Sequence, residues 1–522
     1  MTDYIEVELK LRFMDPDLWE VVFALPIVQQ WGDRQSYRRE RLEAQYFDTQ
    51  GQHLQKARLA YRIRHEGGEW LATVKGDGSS SGGLHQREEW TVVVAEPIPN
   101  IESFMETSVG PLLQEAAGEE ELLAFYTTCF ERQVMHLQMP DGSIIELAAD
   151  QGEIRAGDKQ DPILELELEL ISGNPASLLQ LGANMARELP LLPEWRSKYF
   201  RALQLVELAD DQEARKLAYS VVGIEKSGVA LAKLLVVNLQ SVLMAQENFL
   251  NLPDDPDTLL LLMGQLRRLC SMLSFSQPLI PDEVYSTYKA SLQQWEDSLR
   301  SLHEIDIVLK AWHEMQAEDT VQFDVNPVLP DKLAPKRAEL AKQLHQSLSK
   351  GETTPFLLEL WAWLEEFGQR AKAEEKPATI EEFSRQRLAE YAEKIIRIGK
   401  KLDVDNAEEL DRLHIDAQKM RYVLQDLWSI WPERARKMSE HFEALQEGLD
   451  YLHDVYISRN IMRSLLPTQS SRLMYRDTGF LAGWQARQAL IVRRKVAKQW
   501  KKVRHTAEAL IKKQAYIVNK SS

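Results

Sequence analysis

Hydrophobic and polar residues alternate along much of the first 200 residues, and this pattern changes in the rest of the chain. Period-two alternation with glycine turns and β-branched residues is typical of strands. From about Leu217 to Val518 the apolar positions follow the helical period and hairpin signals are few. The chain thus predicts a β-rich region followed by an all-α region. The predicted helices include Gly223–Leu250, Asp257–Phe275, Asp282–Gln316, Leu333–Lys350 and Ile380–Leu402.

The first predicted strand, residues 5–12, carries all of its charged side chains on one face. Side chains alternate between the two faces of a strand, so Glu6, Glu8, Lys10 and Arg12 lie together and aliphatic residues occupy the other face. Taken alone, this pattern is also typical of an antiparallel strand whose charges face water.

Six further segments repeat the arrangement, with charge on one face and mostly apolar residues on the other. Their leucine-rich face has to be buried, so the charged faces point either to water or into a cavity. Two observations favour a cavity. Acids and bases cluster by strand, whereas solvated faces mix the signs, and neighbouring glutamates repel one another unless a cation lies between them. The charged positions are Arg62, Arg64, Lys75, Arg87, Glu89, Arg132, Glu146, Asp150, Glu165, Glu167 and Glu169.

A cavity with carboxylates on one side and cationic side chains on the other has a definite chemistry. Mg²⁺ and Mn²⁺ bind carboxylate oxygens together with substrate phosphate. Guanidinium and ammonium groups bind phosphoryl oxygens. The strand pattern therefore predicts a multiply phosphorylated anion as the ligand.

The same residues resemble the CYTH superfamily, the triphosphate tunnel metalloenzymes, over about residues 1–205. The resemblance rests on several elements that occur in one order, and the layout of the whole chain is similar to that of bacterial two-domain inorganic triphosphatases. These elements are Glu6-Val7-Glu8-Leu9-Lys10, Tyr46-Phe47-Asp48-Thr49, Arg62-Ile63-Arg64, Gly82-Gly83-Leu84-His85-Gln86-Arg87, Asp150-Gln151-Gly152, Glu165-Leu166-Glu167 and Ser197-Lys198-Tyr199.

The resemblance implies an α+β chain in which residues 1–205 form a domain with an antiparallel β-barrel tunnel. This domain is expected to hydrolyse a triphosphate with two bound ions of Mg²⁺ or Mn²⁺. The expected substrate is inorganic tripolyphosphate, cleaved to pyrophosphate and phosphate. Hydrolysis or cyclisation of a nucleoside or thiamine triphosphate is an alternative. The implied metal ligands are Glu6, Glu8, Asp150, Glu165 and Glu167, and Glu89 and Glu146 would orient water, metal or the basic residues. The implied ligands of the phosphoryl oxygens are Lys10, Arg62, Arg64, Lys75, Arg87, Arg132 and Lys198.

The helical region, residues 220–515 after a connector at 206–219, resembles a CHAD domain. The resemblance implies two similar four-helix halves and binding of inorganic polyphosphate to a basic surface. The strings at 302–306 (LHEID) and 452–455 (LHDV) recur about 150 residues apart, which supports an internal duplication. A polyphosphate-binding module with minor catalysis is thus a further alternative. The other matching residues are Gln265-Leu266-Arg267-Arg268 and Lys419-Met420-Arg421-Tyr422.

The helical region departs from the family pattern at four positions, where Leu260, Met263, Asp411 and His414 replace the usual histidines and arginines. For His303 and His453, burial beside a carboxylate or carbonyl is the alternative to anion binding. For Arg267, Arg268 and Arg421 the alternative is ion pairing on the helix surface.

Composition narrows the partners and the compartment. The net charge of −17 argues against a general nucleic-acid binder. Two cysteines argue against a disulfide scaffold and fit a reducing cytoplasm. No signal peptide or membrane span is expected. Between residues 484 and 520 eleven Lys and Arg stand against Glu508, which predicts either an anion site or a solvated basic face. A proline-rich break at 320–336 is expected to divide the helical region.

Overall fold

The computed structural model of the protein describes residues 4–208, 221–318, 327–400, 402–403, 406–430, 432–466 and 471–521. Strands lie in the first part of the chain and long helices in the remainder. The strands are β1 (Tyr4–Phe13), β2 (Arg38–Asp48), β3 (Ala60–Glu66), β4 (Glu69–Ser81), β5 (Leu84–Val94), β6 (Leu123–Gln138), β7 (Ile144–Ala156), β8 (Lys159–Ser172) and β9 (Leu191–Pro193).

Five helices accompany the strands, and nine follow within the described part of the chain. The first five are α1 (Pro26–Trp31), α2 (His53–Lys56), α3 (Gly110–Ala117), α4 (Pro175–Glu188) and α5 (Lys198–Leu205). The others are α6 (Ser227–Asn251), α7 (Pro256–Ser276), α8 (Asp282–Ala317), α9 (Leu329–Ser349), α10 (Thr354–Ala373), α11 (Ile380–Gly399), α12 (Ala407–Asp426), α13 (Pro432–Leu465) and α14 (Arg472–Ser521).

The strands form a closed antiparallel barrel, which confirms the fold expected from the sequence. The order along the sheet is β5-β4-β3-β2-β6-β7-β8-β1, and β5 pairs again with β1 to close a ring of eight strands. The short strand β9 adds to β1 beside the ring. Every pairing is antiparallel, so residues directly opposite one another point to the same face.

Helix α4 covers the apolar outer face of β1 and β8, where Leu9 and Leu168 are fully buried. A Cβ atom at Gly182 would lie 2.4 Å from Leu9 Cδ2 and 3.6 Å from Leu168 Cδ1. The missing side chain at this position therefore lets α4 approach the barrel closely. Because this face is buried, the opposite face of both strands must point into the ring.

The chain divides into two compact units, and the division does not follow the sequence order. One unit comprises the described residues up to 208 together with Ser347–Glu365, and the other comprises the described residues of 221–346 and 366–521. Within the first unit, Glu359 forms an ion pair with Arg187 of α4. The Cβ of an alanine at Gly351 would meet the carbonyl oxygen of Leu191 at 2.2 Å. A short piece of the helical sequence thus completes the barrel unit.

The predicted helices agree with α6, α7, α8, α9 and α11 to within four residues at each end. The expected proline-rich break is wrong at its C-terminal end, because Pro330 and Pro335 both lie in α9. Proline is tolerated in a first turn, where no N–H bond is needed, and Pro335 is accommodated further along the helix. Residues 319–326 of that break and 209–219 of the connector lie outside the described residues.

Among the described helices, α6 is long and apolar enough to cross a membrane by length and composition alone. Its most apolar window is 61% buried inside the protein. Core helices of soluble proteins pass the same test, so this is weak evidence for a membrane segment.

Candidate active site

The barrel encloses a cavity of about 290 Å³ that is lined mainly by charged side chains. Twelve of the fourteen site residues expected from the sequence line it, and the cavity brings together eight carboxylates and eight cationic groups. The carboxylates are Glu6, Glu8, Glu40, Glu66, Glu89, Glu146, Glu167 and Glu169. The cations are Lys10, Arg38, Arg62, Arg64, Lys75, Arg87, Arg132 and Lys198.

Strand register accounts for this convergence. Glu6 of β1 lies opposite Arg87 of β5, and Lys10 of β1 lies opposite Glu167 of β8. Lys10 and Glu167 share the inner face, because the leucines on either side of each are fully buried on the outer one. Glu6 and Arg87 line the same cavity. The alternation seen in the sequence therefore places residues of opposite charge side by side on the inner wall.

Carboxylates crowd together where β1, β7 and β8 meet. Glu169 lies opposite both Glu8 and Glu146. Burial and the charges of Glu6 and Glu8 raise the pKa of Glu169 to about 8. Burial alone would raise the pKa of Glu8 as well, but Lys10, His85 and Arg87 outweigh it and lower this pKa to about 2. Burial and the crowding of carboxylates thus favour the protonated form of Glu169 on this wall.

The facing wall is basic and contains unsatisfied donors. Lys75 Nζ lies 2.9 Å from Glu6 Oε1 and 2.9 Å from Glu89 Oε2. The Nε atoms of Arg62 and Arg64 are buried without a hydrogen-bond partner. Burial and the neighbouring Arg62 lower the pKa of Arg64, although Glu66 opposes this. Because these N–H groups are already buried, they can donate to a bound anion at little further desolvation cost.

Asp150 and Glu165 lie behind the cavity wall rather than on it, and both are fully buried. Lys198 Nζ lies 2.8 Å from Asp150 Oδ2 and 2.9 Å from Glu167 Oε1, and it also contacts Glu165. Arg132 Nε bonds Asp150 Oδ1 at 2.7 Å. Asp150 and Glu165 therefore already hold cationic side chains, whereas Glu6, Glu8 and Glu167 line the cavity.

Local sequence places Lys198 at this point. The hydroxyl of Ser197 accepts the backbone N–H of Phe200 at 3.1 Å and caps helix α5. Lys198 is the first residue of the capped helix, and its ammonium group lies 4.9 Å from the ring centroid of Phe130. The serine thus fixes the backbone from which the lysine reaches the carboxylates.

The donor set fits a hard divalent cation. Ligand oxygens of Asp150, Glu165 and Glu167 all lie within 4.8 Å of one another, and Glu6, Glu8 and Glu169 offer carboxylates that face the cavity. Burial and the neighbouring Glu6 and Glu8 raise the pKa of Glu169, and a bound cation would favour its ionised form. All of these donors are oxygens, which Mg²⁺ and Mn²⁺ prefer.

Sequence reasoning assigned no role to several cavity residues. The alternation of β8 placed Glu169 on the charged face with its neighbours, but Glu169 was left out of the expected site. Arg38 and Glu40 on β2 were harder to find, because charges also occupy the outer face of that strand. Arg39, which faces outward, is half exposed and bonds Glu131 Oε2 at 2.6 Å. The remaining missed residues are Ala44, Tyr46, Ala60, Glu66, Thr91, Thr128, Phe130, Ser197 and Tyr199.

In the helical unit two of the three expected anion-binding arginines form ion pairs, whereas Arg421 stacks over the ring of Tyr422 and its Nε is buried without a hydrogen-bond partner. Arg267 Nε lies 2.7 Å from Glu296 Oε1, and Arg268 Nε lies 2.7 Å from Asp426 Oδ1. His303 lies on α8, the third of the helices α6 to α9, and His453 lies on α13, the third of the helices α11 to α14. This placement agrees with the internal duplication inferred from the sequence.

The fold and the cavity define a closed β-barrel protein with a mixed acid–base interior, continued by an all-α region. Residues 4–198 match the model of the CYTH domain, and residues 238–463 match that of the CHAD domain. The chain therefore carries a CYTH domain followed by a CHAD domain.

One curated relative is an inorganic triphosphatase from Haemophilus influenzae, 33% identical over 158 residues. The match covers 30% of this chain and 41% of that protein, so the chain spans less than half the length of this relative.

Two solved structures are also similar. The CHAD domain from Ricinus communis has a TM-score of 0.46 at 18% identity, covering 56% of this chain and 96% of that one. A protein from Hippeastrum, described as an adenylyl cyclase with a dominant triphosphatase activity, has a TM-score of 0.29 at 18% identity, covering 40% of this chain and 99% of that one.

Proposed function

We propose that the barrel hydrolyses inorganic tripolyphosphate to pyrophosphate and phosphate. The reaction uses two divalent cations, which are either Mg²⁺ or Mn²⁺. The observation that carries this proposal is the partly open cavity inside the barrel, where one wall is rich in carboxylates and the facing wall holds the buried Nε donors of Arg62 and Arg64, which have no partner. Phosphoryl transfer depends chiefly on charge neutralisation and positioning, which such a cavity supplies.

The cationic side chains bind the substrate in this proposal. Arg62 and Arg64 donate to phosphoryl oxygens through N–H groups that have no other partner. Lys75 and Arg87 hold charge beside Glu6, and Arg132 and Lys198 do so beside Glu167. Each cation is thus oriented by a carboxylate before the substrate arrives, which reduces the reorganisation needed on binding.

Glu6, Glu8 and Glu167 are the proposed metal ligands on the cavity wall, with Asp150 and Glu165 behind them. A bound divalent cation would neutralise phosphoryl charge and activate water. Glu89 accepts from Lys75 and lies 4.0 Å from Arg62, so it orients the basic wall. Glu146 bonds His136 Nε2 at 3.0 Å and lies beside Glu169.

The size of the cavity favours an inorganic substrate over a nucleotide or thiamine triphosphate. Its volume of about 290 Å³ lies at the lower edge of the roughly 300–1,000 Å³ range of small-molecule pockets. A base or thiazolium ring would need additional space and an apolar wall. Turnover of tripolyphosphate, ATP and thiamine triphosphate by the same preparation separates the candidates.

The deciding experiment measures phosphate release from tripolyphosphate by the chelator-treated full chain, with and without added Mg²⁺ or Mn²⁺. Glu8→Gln and Arg62→Ala should each lose activity, whereas Arg39→Ala, outside the cavity, should retain it. Full activity in both cavity variants would refute the assignment.

We further propose that the helical region binds long-chain polyphosphate through exposed bases of α14, because Arg267 and Arg268 are engaged in ion pairs. Arg494, Lys498 and Lys501 are exposed at helical spacing on one face. Polyphosphate binding by the full chain, measured in the presence of a chelator, should weaken as salt is added. It should also weaken in the double variant Lys498→Glu/Lys501→Glu, but not in the control variant Lys336→Glu. Unchanged binding in the double variant would exclude this surface.

A further inference from the structure

Helices α12 and α13 carry the same short sequence motif, an aspartate followed three residues later by a histidine. The motif is Asp411-x-x-His414 on α12 and Asp450-x-x-His453 on α13. Residues three apart share one face of a helix, so each motif presents a carboxylate and an imidazole side by side.

The two motifs face each other in antiparallel register and exchange partners. His414 Nε2 lies 2.6 Å from Asp450 Oδ1, and His453 Nδ1 lies 3.0 Å from Asp411 Oδ1. The two imidazole rings stack, with their centroids 4.8 Å apart and their planes 17° apart. Four metal-ligating side chains are thereby gathered at one point of the helical unit.

One nitrogen in this cluster has no partner. His414 is 7% exposed, and its Nδ1 is buried without a hydrogen-bond partner. Its other nitrogen is fixed by Asp450, which is the arrangement by which a carboxylate orients a metal-binding histidine. A buried, unsatisfied ring nitrogen is costly unless something binds it.

We propose that Asp411, His414 and His453 bind a divalent transition-metal ion of the zinc type, with Asp450 orienting His414. Ligand atoms of the three residues all lie within 4.8 Å of one another. Ligands about 2.0–2.1 Å from a tetrahedral zinc ion lie roughly 3.3 Å apart, so a small inward movement is needed. Imidazole and carboxylate ligands suit zinc and its neighbours better than magnesium.

The stacked rings set one requirement for this site. The nitrogen lone pairs of two parallel imidazole rings point in parallel directions. One ring must therefore rotate before both nitrogens can bind the same ion. His453 has room to turn, because its side chain is 32% exposed, and that of Asp411 is 46% exposed. The same openness gives the ion an entry path and leaves a coordination position for water.

Charged groups on four helices act on this cluster. Arg267 of α7, Lys310 of α8 and Arg421 of α12 are cationic, and Asp454 of α13 adds a further carboxyl group.

The test is Co²⁺ titration of the chelator-stripped full chain, followed by visible absorption. Cobalt bound in a tetrahedral or five-coordinate site with nitrogen ligands absorbs strongly, whereas octahedral carboxylate and water sites, as expected in the barrel, absorb weakly. We expect a strong band that saturates at one equivalent and is displaced by Zn²⁺.

His414→Gln and His453→Ala should abolish this band, and Asp450→Asn should weaken binding by roughly 10–100-fold. His441→Ala is the matched control, because His441 lies on α13, as His453 does, but bonds Thr506. Circular dichroism verifies that each variant folds. Absence of the band in the unmodified protein overturns the proposal without reference to any variant, as does its persistence in folded His453→Ala.

Discussion

Lys198 is the side chain whose removal should perturb the barrel most clearly. It contacts the carboxylates of Asp150, Glu165 and Glu167, and its own side chain is 9% exposed. In Lys198→Met these three carboxylates lose a cation that they all share. The other nearby cations are Arg132, Lys10 and Arg201, and each of them contacts only one or two of the three carboxylates.

The magnitude follows from the burial of the carboxylates. Asp150 and Glu165 are both 0% exposed, so water cannot replace the ammonium group. Removing one partner of a buried ion pair costs about 3–5 kcal/mol, because the remaining charge stays desolvated. We therefore expect Lys198→Met to lower the free energy of unfolding of the barrel unit by about that amount.

Native-state hydrogen exchange of barrel amides measures this free energy locally. Lys159→Met is the matched control, because Lys159 is half exposed and pairs with the exposed Glu207. Its effect should stay within about 0.5 kcal/mol. Equal exchange rates in the two variants would show that the cluster is already hydrated, contrary to the reasoning.

Added Mn²⁺ provides a second measurement on the same variant. An ion present at 100 times its Kd for these carboxylates contributes about 2.7 kcal/mol to the stability of the native state. Mn²⁺ should therefore stabilise Lys198→Met more than the unmodified protein, in which the ammonium group competes for the same oxygens.

Three further predictions concern packing and pH. Leu358→Ala, at a fully buried position beside Gly182, should destabilise the barrel unit by about 2–5 kcal/mol in urea unfolding, and an unchanged midpoint would contradict the packing described. Gly152→Ala would place its Cβ 2.2 Å from the carbonyl oxygen of Cys129 and should cost about 1–3 kcal/mol, whereas Gly479→Ala, with no atom within 4 Å, should leave thermal stability undiminished. Because the pKa of Glu169 is raised to about 8 in the folded protein, its contribution to stability is present at acid pH and is lost as pH rises towards 8. Metal-free Glu169→Gln should therefore gain stability relative to the unmodified protein between pH 5 and 9, and a pH-independent difference would argue against burial of this carboxyl.

Much of the barrel could be predicted because its strands have one charged and one buried face. Glu6, Glu8 and Lys10 follow directly from this rule, since alternation alone decides on which side each lies. The rule cannot distinguish a side chain that reaches the cavity from one that is held behind the wall. Glu165 and Glu167 lie on the same face of β8 and both contact Lys198, but Glu165 also pairs with Arg201 and does not line the cavity.

Long-range contacts account for most of what the sequence did not predict. The pairing of Asp411 with His453 depends on the register of two helices, which periodicity does not determine. Likewise, the sequence contains no local signal that residues 347–365 pack in the barrel unit. Pro335 was misread because a proline is a strong local signal for a helix boundary, and the surrounding packing overrides it here.

The assignment of Ser347–Glu365 to the barrel unit affects how the chain can be synthesised. A ribosome adds about 5–20 residues per second, so the last barrel strand leaves it on the order of ten seconds or more before the helical piece that covers Arg187 and Leu191. During this interval the nascent barrel exposes an unfilled apolar surface. A gene cut at the connector would make that temporary state permanent.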